Sequence, residues 1–318
     1  MKSAPWRSQG PEAAGSDPWT ARSTWASVCS GVSPRLGPEL AEGPVEQHIA
    51  ARSQLEANAV LVLYDNPFSP FARKVRMALD FKGFTYRSVD ALSIEQLPGL
   101  RDVNARGEVP VLVDDDIVAI DSADIAAYLD DLRPEPSLLP ASLQMRAKAR
   151  HWHRVADRTL DAIIHDVSLW TWPTHHRTDQ PPSGLLEAGR QDLEAVMRVL
   201  ERAIEPQGFI CGTVSIADFA VFPHVTSLRF IGVDLDKTRY PRLREWLARM
   251  RDLECVRKDL ESTRLAAIEK FGAGKSPYES DKVVWRGDRI EWLLARGFDA
   301  WWNAERATGR AVIPQPSA

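Results

Sequence analysis

Every strand-length apolar run in this chain falls between residues 60 and 120, and only helical periodicity follows it. Strands mixed with helices first, then helices alone, limit the fold to an α/β half joined to an all-helical half. The first run, Val60-Leu61-Val62-Leu63-Tyr64, is apolar throughout, the pattern of a buried central strand. A helical stripe of Phe71, Val75, Ala78 and Leu79 follows, and Lys82-Gly83 closes that helix. Residues 84–89 alternate as a second strand, so the block opens as a βαβ unit. Residues 109–113 supply a third strand, Asp114-Asp115-Asp116 a turn, and residues 117–120 a fourth strand. Ser122 is expected to cap a helix with Ile125, Tyr128, Leu129 and Leu132 on one face. The order βαβαββα occupies residues 58–135, and Pro134, Pro136 and Pro140 mark a linker.

Helical patterns then fill residues 142–271, over 142–170, 185–205, 215–231, 239–250 and 253–270. One start is doubly specified: Ser215 as N-cap with Asp218 at N3, and Val214 and Phe219 at the staple positions. Residues 272–318 form a C-terminal extension with an amphipathic stripe, Ile290, Leu293, Leu294, Phe298, Trp301 and Trp302, interrupted at Gly297. That stripe is expected to dock on its own domain, because two exposed tryptophans would invite aggregation. Residues 1–57, rich in Ala, Gly, Pro and Ser, read as a flexible leader.

A net charge of −4 gives no global basic field to draw the chain to nucleic acid or an anionic membrane. No apolar run reaches the length of a membrane span. Cys29, Cys211 and Cys255 are scattered without a CxxC pair, which argues against a disulfide framework or zinc site and fits a reducing, cytoplasmic setting. His151 and His153 do not share a helical face, so no metal is expected.

The stretch NPFSPFARKVR, residues 66–76, places Ser69 before Pro70 at a helix start. Taken alone, Ser69 reads either as a simple cap or as a hydroxyl at the tip of a helix that favours an anion. A thiol of ordinary pKa, about 8.5, is only a few per cent thiolate at neutral pH, and such a tip would stabilise the ionised form.

Three local motifs together resemble the cytosolic glutathione transferase family over residues 60–271. They are Ser-Pro-Phe-Ala-Arg-Lys-Val-Arg after the first strand, Asn-Ala-Arg-Gly-Glu-Val-Pro-Val-Leu followed by Asp121-Ser122, and Gly-Thr-Val-Ser-Ile-Ala-Asp at 212–218. The resemblance implies a thioredoxin-like glutathione-binding domain followed by a helical bundle, with glutathione as co-substrate and no metal. It implies Ser69 as the catalytic residue that stabilises the thiolate, a serine-type enzyme rather than a cysteine-type thiol reductase. It implies Phe71, Val109, Pro110, Asp121 and Ser122 as glutathione-binding residues, with Val109-Pro110 cis. Asp121 stands where Glu or Gln is usual, and Glu108 where Lys or Gln is frequent. A small hydrophobic electrophile is expected between the halves, near His165, Trp170, Trp172 and His175-His176, although aromatic residues at a helix end also serve simply as packing. A homodimer with helix 122–132 near its interface is implied, with a role in detoxification. The extension would cap the second-substrate pocket or brace that dimer. A non-catalytic binding or scaffold protein on the same fold is the alternative reading.

Overall fold

The computed structural model describes residues 61–172, 177–272 and 283–312. Val60, the leader 1–57 and the pair His175-His176 lie outside the described residues. Four strands form one sheet in the order β2-β1-β3-β4: β1 (Leu61–Asp65), β2 (Tyr86–Asp90), β3 (Val111–Asp114) and β4 (Ile117–Ile120). β1 runs parallel to β2 and antiparallel to β3, and β3 runs antiparallel to β4. The third strand begins at Val111 rather than at 109, since Pro110 has no N–H to give to the ladder.

Helix α1 (Pro70–Lys82) supplies the βαβ crossover, and buries Val75, Ala78 and Leu79 completely, as its stripe predicts. Gly83 ends it with φ 72, a left-handed conformation that spares glycine the Cβ clash of other residues. Helix α2 (Leu97–Val103) links β2 to β3, and α3 (Ser122–Leu132) follows β4. The cap of α3 is Asp121, not Ser122. Asp121 takes φ 76, and its Oδ1 accepts from the Ala123 N–H at 2.8 Å, so Ser122 becomes the first, buried helical residue. Leu132, expected on the inner face of α3, is exposed.

The helical half starts with α4 (Leu143–Arg154), continues through a six-residue π-helical turn (Val155–Leu160), and runs on as α5 (Asp161–Thr171). Then come α6 (Leu185–Ala203), α7 (Ile216–Ser227), α8 (Pro241–Asp252) and α9 (Glu254–Phe271). α7 is the central element, apolar all round, and α1, α4 and α8 pack against it. Its start is specified as expected: the fully buried Asp218 carboxylate accepts from Ser215 N and Oγ, both at 3.0 Å, and from Trp246 Nε1 at 2.8 Å.

The C-terminal extension forms two helices rather than one, α10 (Gly287–Ala295) and α11 (Asp299–Ala307), because Gly297 adopts φ 80 between them. Short strands β5 (Val283–Val284) and β6 (Ala311–Val312) pair beside them. Trp285, Leu293 and Trp302 are buried in the same hydrophobic core that contains Leu63, Trp152 and Phe219. The extension is therefore a wall of the helical half, and α10 packs on α5.

Candidate functional site

The sheet register decides where the motifs meet. Tyr64 of β1 is opposite Val111 of β3, and Val111 is opposite Ile120 of β4. The end of β1, the start of β3 and the end of β4 therefore share one end of the sheet. The loop carrying Ser69, the Val109-Pro110 bond and the Asp121-Ser122 pair all emerge there, and Val109-Pro110 is cis.

Ser69 is half-buried and caps α1, with its Oγ accepting from Ala72 N at 3.4 Å and its backbone O accepting from Arg73 N at 2.9 Å. An Asx turn sets it up: Asn66 Oδ1 accepts from Phe68 N at 3.0 Å, and Asn66 O from Ser69 N at 3.1 Å. The loop is also held from α9. Pro67 O accepts from Arg76 Nη2 at 3.2 Å and from Thr263 Oγ1 at 3.1 Å. Arg76 is clamped between Asp65 and Asp259, at 2.7 Å from each. Burial opposes its charge, but these two carboxylates outweigh burial and raise its pKa above the ordinary arginine value.

Beside this tip lies a cavity of about 660 Å³, within the usual range of small-molecule sites. Phe71 and Asp121 line it, whereas Ser69, Val109, Pro110 and Ser122 do not. Val109 is half-buried, and Pro110 and Ser122 are buried. The other walls come from α3, from α4 and its π turn, and from Arg286 and Glu291 of the extension. The Arg286 guanidinium stands 4.4 Å above the Phe71 ring, and its Nη2 donates to Asp161 Oδ2 and Asp157 O, both at 2.9 Å.

A charged triad backs the cavity. Lys74, completely buried, donates to both Asp157 oxygens at 2.6 and 2.8 Å, and its Nζ lies 2.7 Å from His153 Nε2. Burial lowers the Lys74 pKa, and Asp157 opposes that shift. Burial acts to raise the Asp157 carboxyl, yet Lys74 and His153 hold it well below the carboxylate range. Burial, and then the Lys74 charge, lower the His153 imidazole from its usual value. The same Nε2 of His153 also lies 3.1 Å from Asp157 Oδ2, so one ring nitrogen meets both the ammonium and the carboxylate.

The aromatic residues expected at the second-substrate pocket lie elsewhere. The ring of His165 meets Trp285 edge-on at 5.7 Å, and Trp170 meets Trp301 at 5.5 Å. Trp172 meets Phe230 at 6.1 Å. None of the three lines the cavity; His165 and Trp170 form the bed on which the extension rests. Sequence reasoning missed Lys74, His153 and Asp157. The i, i+4 spacing of His153 and Asp157 was the available signal, but Lys74 sits off the apolar stripe of α1. Among the described residues no group of His, Cys, Asp or Glu could hold a metal ion, and no helix is long and apolar enough to cross a membrane.

Residues 63–137 match the family model of the glutathione S-transferase N-terminal domain, and residues 183–249 that of the C-terminal domain. FtsZ-localized protein A of Caulobacter vibrioides is 25% identical over 202 residues, 61% of this chain and 88% of that protein. Glutathione S-transferase 1 of Dianthus caryophyllus is 47% identical over 88 residues, 27% of this chain and 40% of that protein. A solved glutathione S-transferase from Rhodospirillum rubrum superposes with a TM-score of 0.56 at 27% identity, covering 63% of this chain and 92% of that one. Ure2p in complex with S-hexylglutathione has the same fold, with a TM-score of 0.56 at 20% identity over 64% of this chain and 98% of that one.

Proposed function

We propose that this chain, which matches the models of the glutathione S-transferase N- and C-terminal domains over residues 63–137 and 183–249, binds glutathione and directs its thiolate onto a small hydrophobic electrophile. The supporting observation is the convergence of the Ser69 cap, cis Val109-Pro110 and the Asp121 cap at one sheet end. Val109 would offer its backbone to the cysteinyl part of glutathione, and Asp121 and Ser122 would receive the γ-glutamyl end. Asp121 is exposed and carries no salt bridge among the described residues, which suits an incoming ammonium.

Ser69 Oγ accepts from Ala72 N, so its own hydrogen is left to donate to sulfur. Together with the N-terminal end of α1, that hydrogen bond favours the thiolate, and lowering the thiol by two units needs about 2.7 kcal/mol. The thiol proton passes to solvent and sulfur attacks the electrophilic carbon. The S–C bond forms, and the leaving group departs with the electron pair of the broken bond. The enzyme is proposed to work as a cytoplasmic homodimer, with exposed Leu132 of α3 near the interface, and to serve detoxification.

Retention on immobilised glutathione, together with conjugation of a generic aryl halide, tests the reading; no retention and no turnover across electrophiles would sink it. One observation favours the scaffold reading instead. Arg286 covers Phe71, which leaves that ring only 8% exposed, and FtsZ-localized protein A is among the relatives. Retention on glutathione without turnover would select it.

A further inference from the structure

The cavity beside α1 has an unusual charge pattern for a site that receives neutral hydrophobic molecules. Arg150, Arg154 and Arg158 recur at every fourth position along α4 and its π turn; all three are exposed and line the cavity. No carboxylate of the described residues lies within salt-bridge distance of any of them. The acidic lining is already engaged for the most part. Asp157 is held by Lys74 and His153, and Asp130 by Lys82 at 2.7 Å. Asp121 caps α3 and, in the reading above, takes the glutathione ammonium. Arg286 is paired with Asp161. Of the lining carboxylates, exposed Glu291 is the one left without an assigned partner among the described residues.

Two further features fit the same ligand. The π turn is a wide helical turn, a form kept mostly where it serves a site. Here it carries Asp157 to Lys74 and contributes Arg158 to the cavity wall. The lining also includes the apolar side chains Ala126, Leu138 and Ile216.

We infer that the thiol acceptor taken by this cleft is an amphipathic anion, an apolar body bearing a carboxylate or related oxyanion. Arg154 and Arg158 hold the oxyanion, while Ala126, Leu138 and Ile216 pack the body. The inference rests on the transferase reading above, with the acceptor lodged next to Phe71. Because the arginines are exposed and screened by salt, the preference they confer is about tenfold, not thousandfold.

A matched pair of aryl chlorides tests it, a chloronitrobenzoate and its methyl ester, with every kcat/KM divided by the uncatalysed rate constant of that compound with glutathione, because the ester activates aromatic substitution more strongly than the carboxylate does. For the full chain, this corrected kcat/KM is expected to favour the carboxylate by about tenfold, and in Arg154→Gln/Arg158→Gln the ratio falls towards one. Equal corrected values for both compounds, or a ratio unchanged in the variant, would overturn the inference. If neither compound turns over, the transferase reading fails separately. Calorimetric titration of the chloronitrobenzoate then decides: weaker binding by the variant supports the anion site, and equal binding removes it. Sizing chromatography accompanies both arms. A variant that changes oligomeric state assigns the arginines to a subunit contact and overturns the proposal.

Discussion

Asp259 of α9 accepts two hydrogen bonds from Arg73 of α1, at 3.0 and 2.8 Å, and so ties the helix that Ser69 caps to α9 of the helical half. Its other oxygen takes Arg76 at 2.7 Å, and all three side chains are buried. Removing the carboxylate strands two buried guanidinium groups, although Arg76 keeps Asp65. Asp259→Ala should therefore cost about 3–5 kcal/mol, read from urea unfolding followed by fluorescence. A loss below about 1 kcal/mol would mean that water enters and solvates both arginines.

Ser69→Ala separates the cap from the chemistry. The Oγ to Ala72 N contact is long, 3.4 Å, so the cap contributes at most about 1 kcal/mol of stability. Turnover should fall by roughly a hundredfold, as for loss of one donor to a developing anion. The pKa of bound glutathione, followed by thiolate absorbance, should rise in the variant. Equal turnover in the two proteins would leave Ser69 as a cap alone.

Periodicity and turn residues made the N-terminal half readable. Continuous apolar residues in β1, the Asp114-Asp115-Asp116 turn and Gly83 each specify their element locally. The Ser215–Asp218 box was equally plain, because both partners lie within one helical turn. The juxtaposition in the candidate site follows from element ends, since Ser69, Val109-Pro110 and Asp121 all stand at one end of the sheet. The site was not legible where side chains meet across the fold. Lys74 and Asp157 are 83 positions apart, and Arg73 and Asp259 are 186 apart, so no local pattern marks either pair. His165 and Trp170 find their ring partners in the extension, whose destination cannot be read from its stripe. Its tryptophans lie on His165 and Trp170.

His153 gives the fold an acid sensitivity with a definite sign. Burial, and then Lys74, depress its folded pKa below the unfolded value of about 6.5. Below that pH the unfolded chain binds a proton that the native state refuses, so stability falls as pH drops through the window. Asp157 moves the same way at lower pH, because Lys74 and His153 depress its pKa. Urea midpoints at about pH 7.5 and about pH 5.5 should differ more for the unmodified chain than for His153→Gln. An equal drop in both proteins would place the sensitivity in other groups.

The extension should behave as part of the bundle. Trp285 is 2% exposed, and its ring meets His165 at 5.7 Å, Trp301 at 5.8 Å and Trp302 at 5.0 Å. Buried charges reinforce the contact: Asp161 takes Arg286 at 2.9 Å and Arg289 at 3.0 Å, and Glu305 takes Arg177 at 3.0 Å. Trp285→Ala leaves a cavity among three aromatic rings and should cost about 3–5 kcal/mol. Truncation after Gly272 goes further, because it uncovers His165 and Trp170 and removes the cations that hold Asp161. Burial would then raise the Asp161 carboxyl, which these arginines and His224 now keep well below the carboxylate range. The truncated chain should unfold at lower urea and bind an apolar dye strongly, while Trp285→Ala should unfold as one transition with the extension still attached. A truncated chain of unchanged stability would mean that the helical half closes its core without residues 283–312.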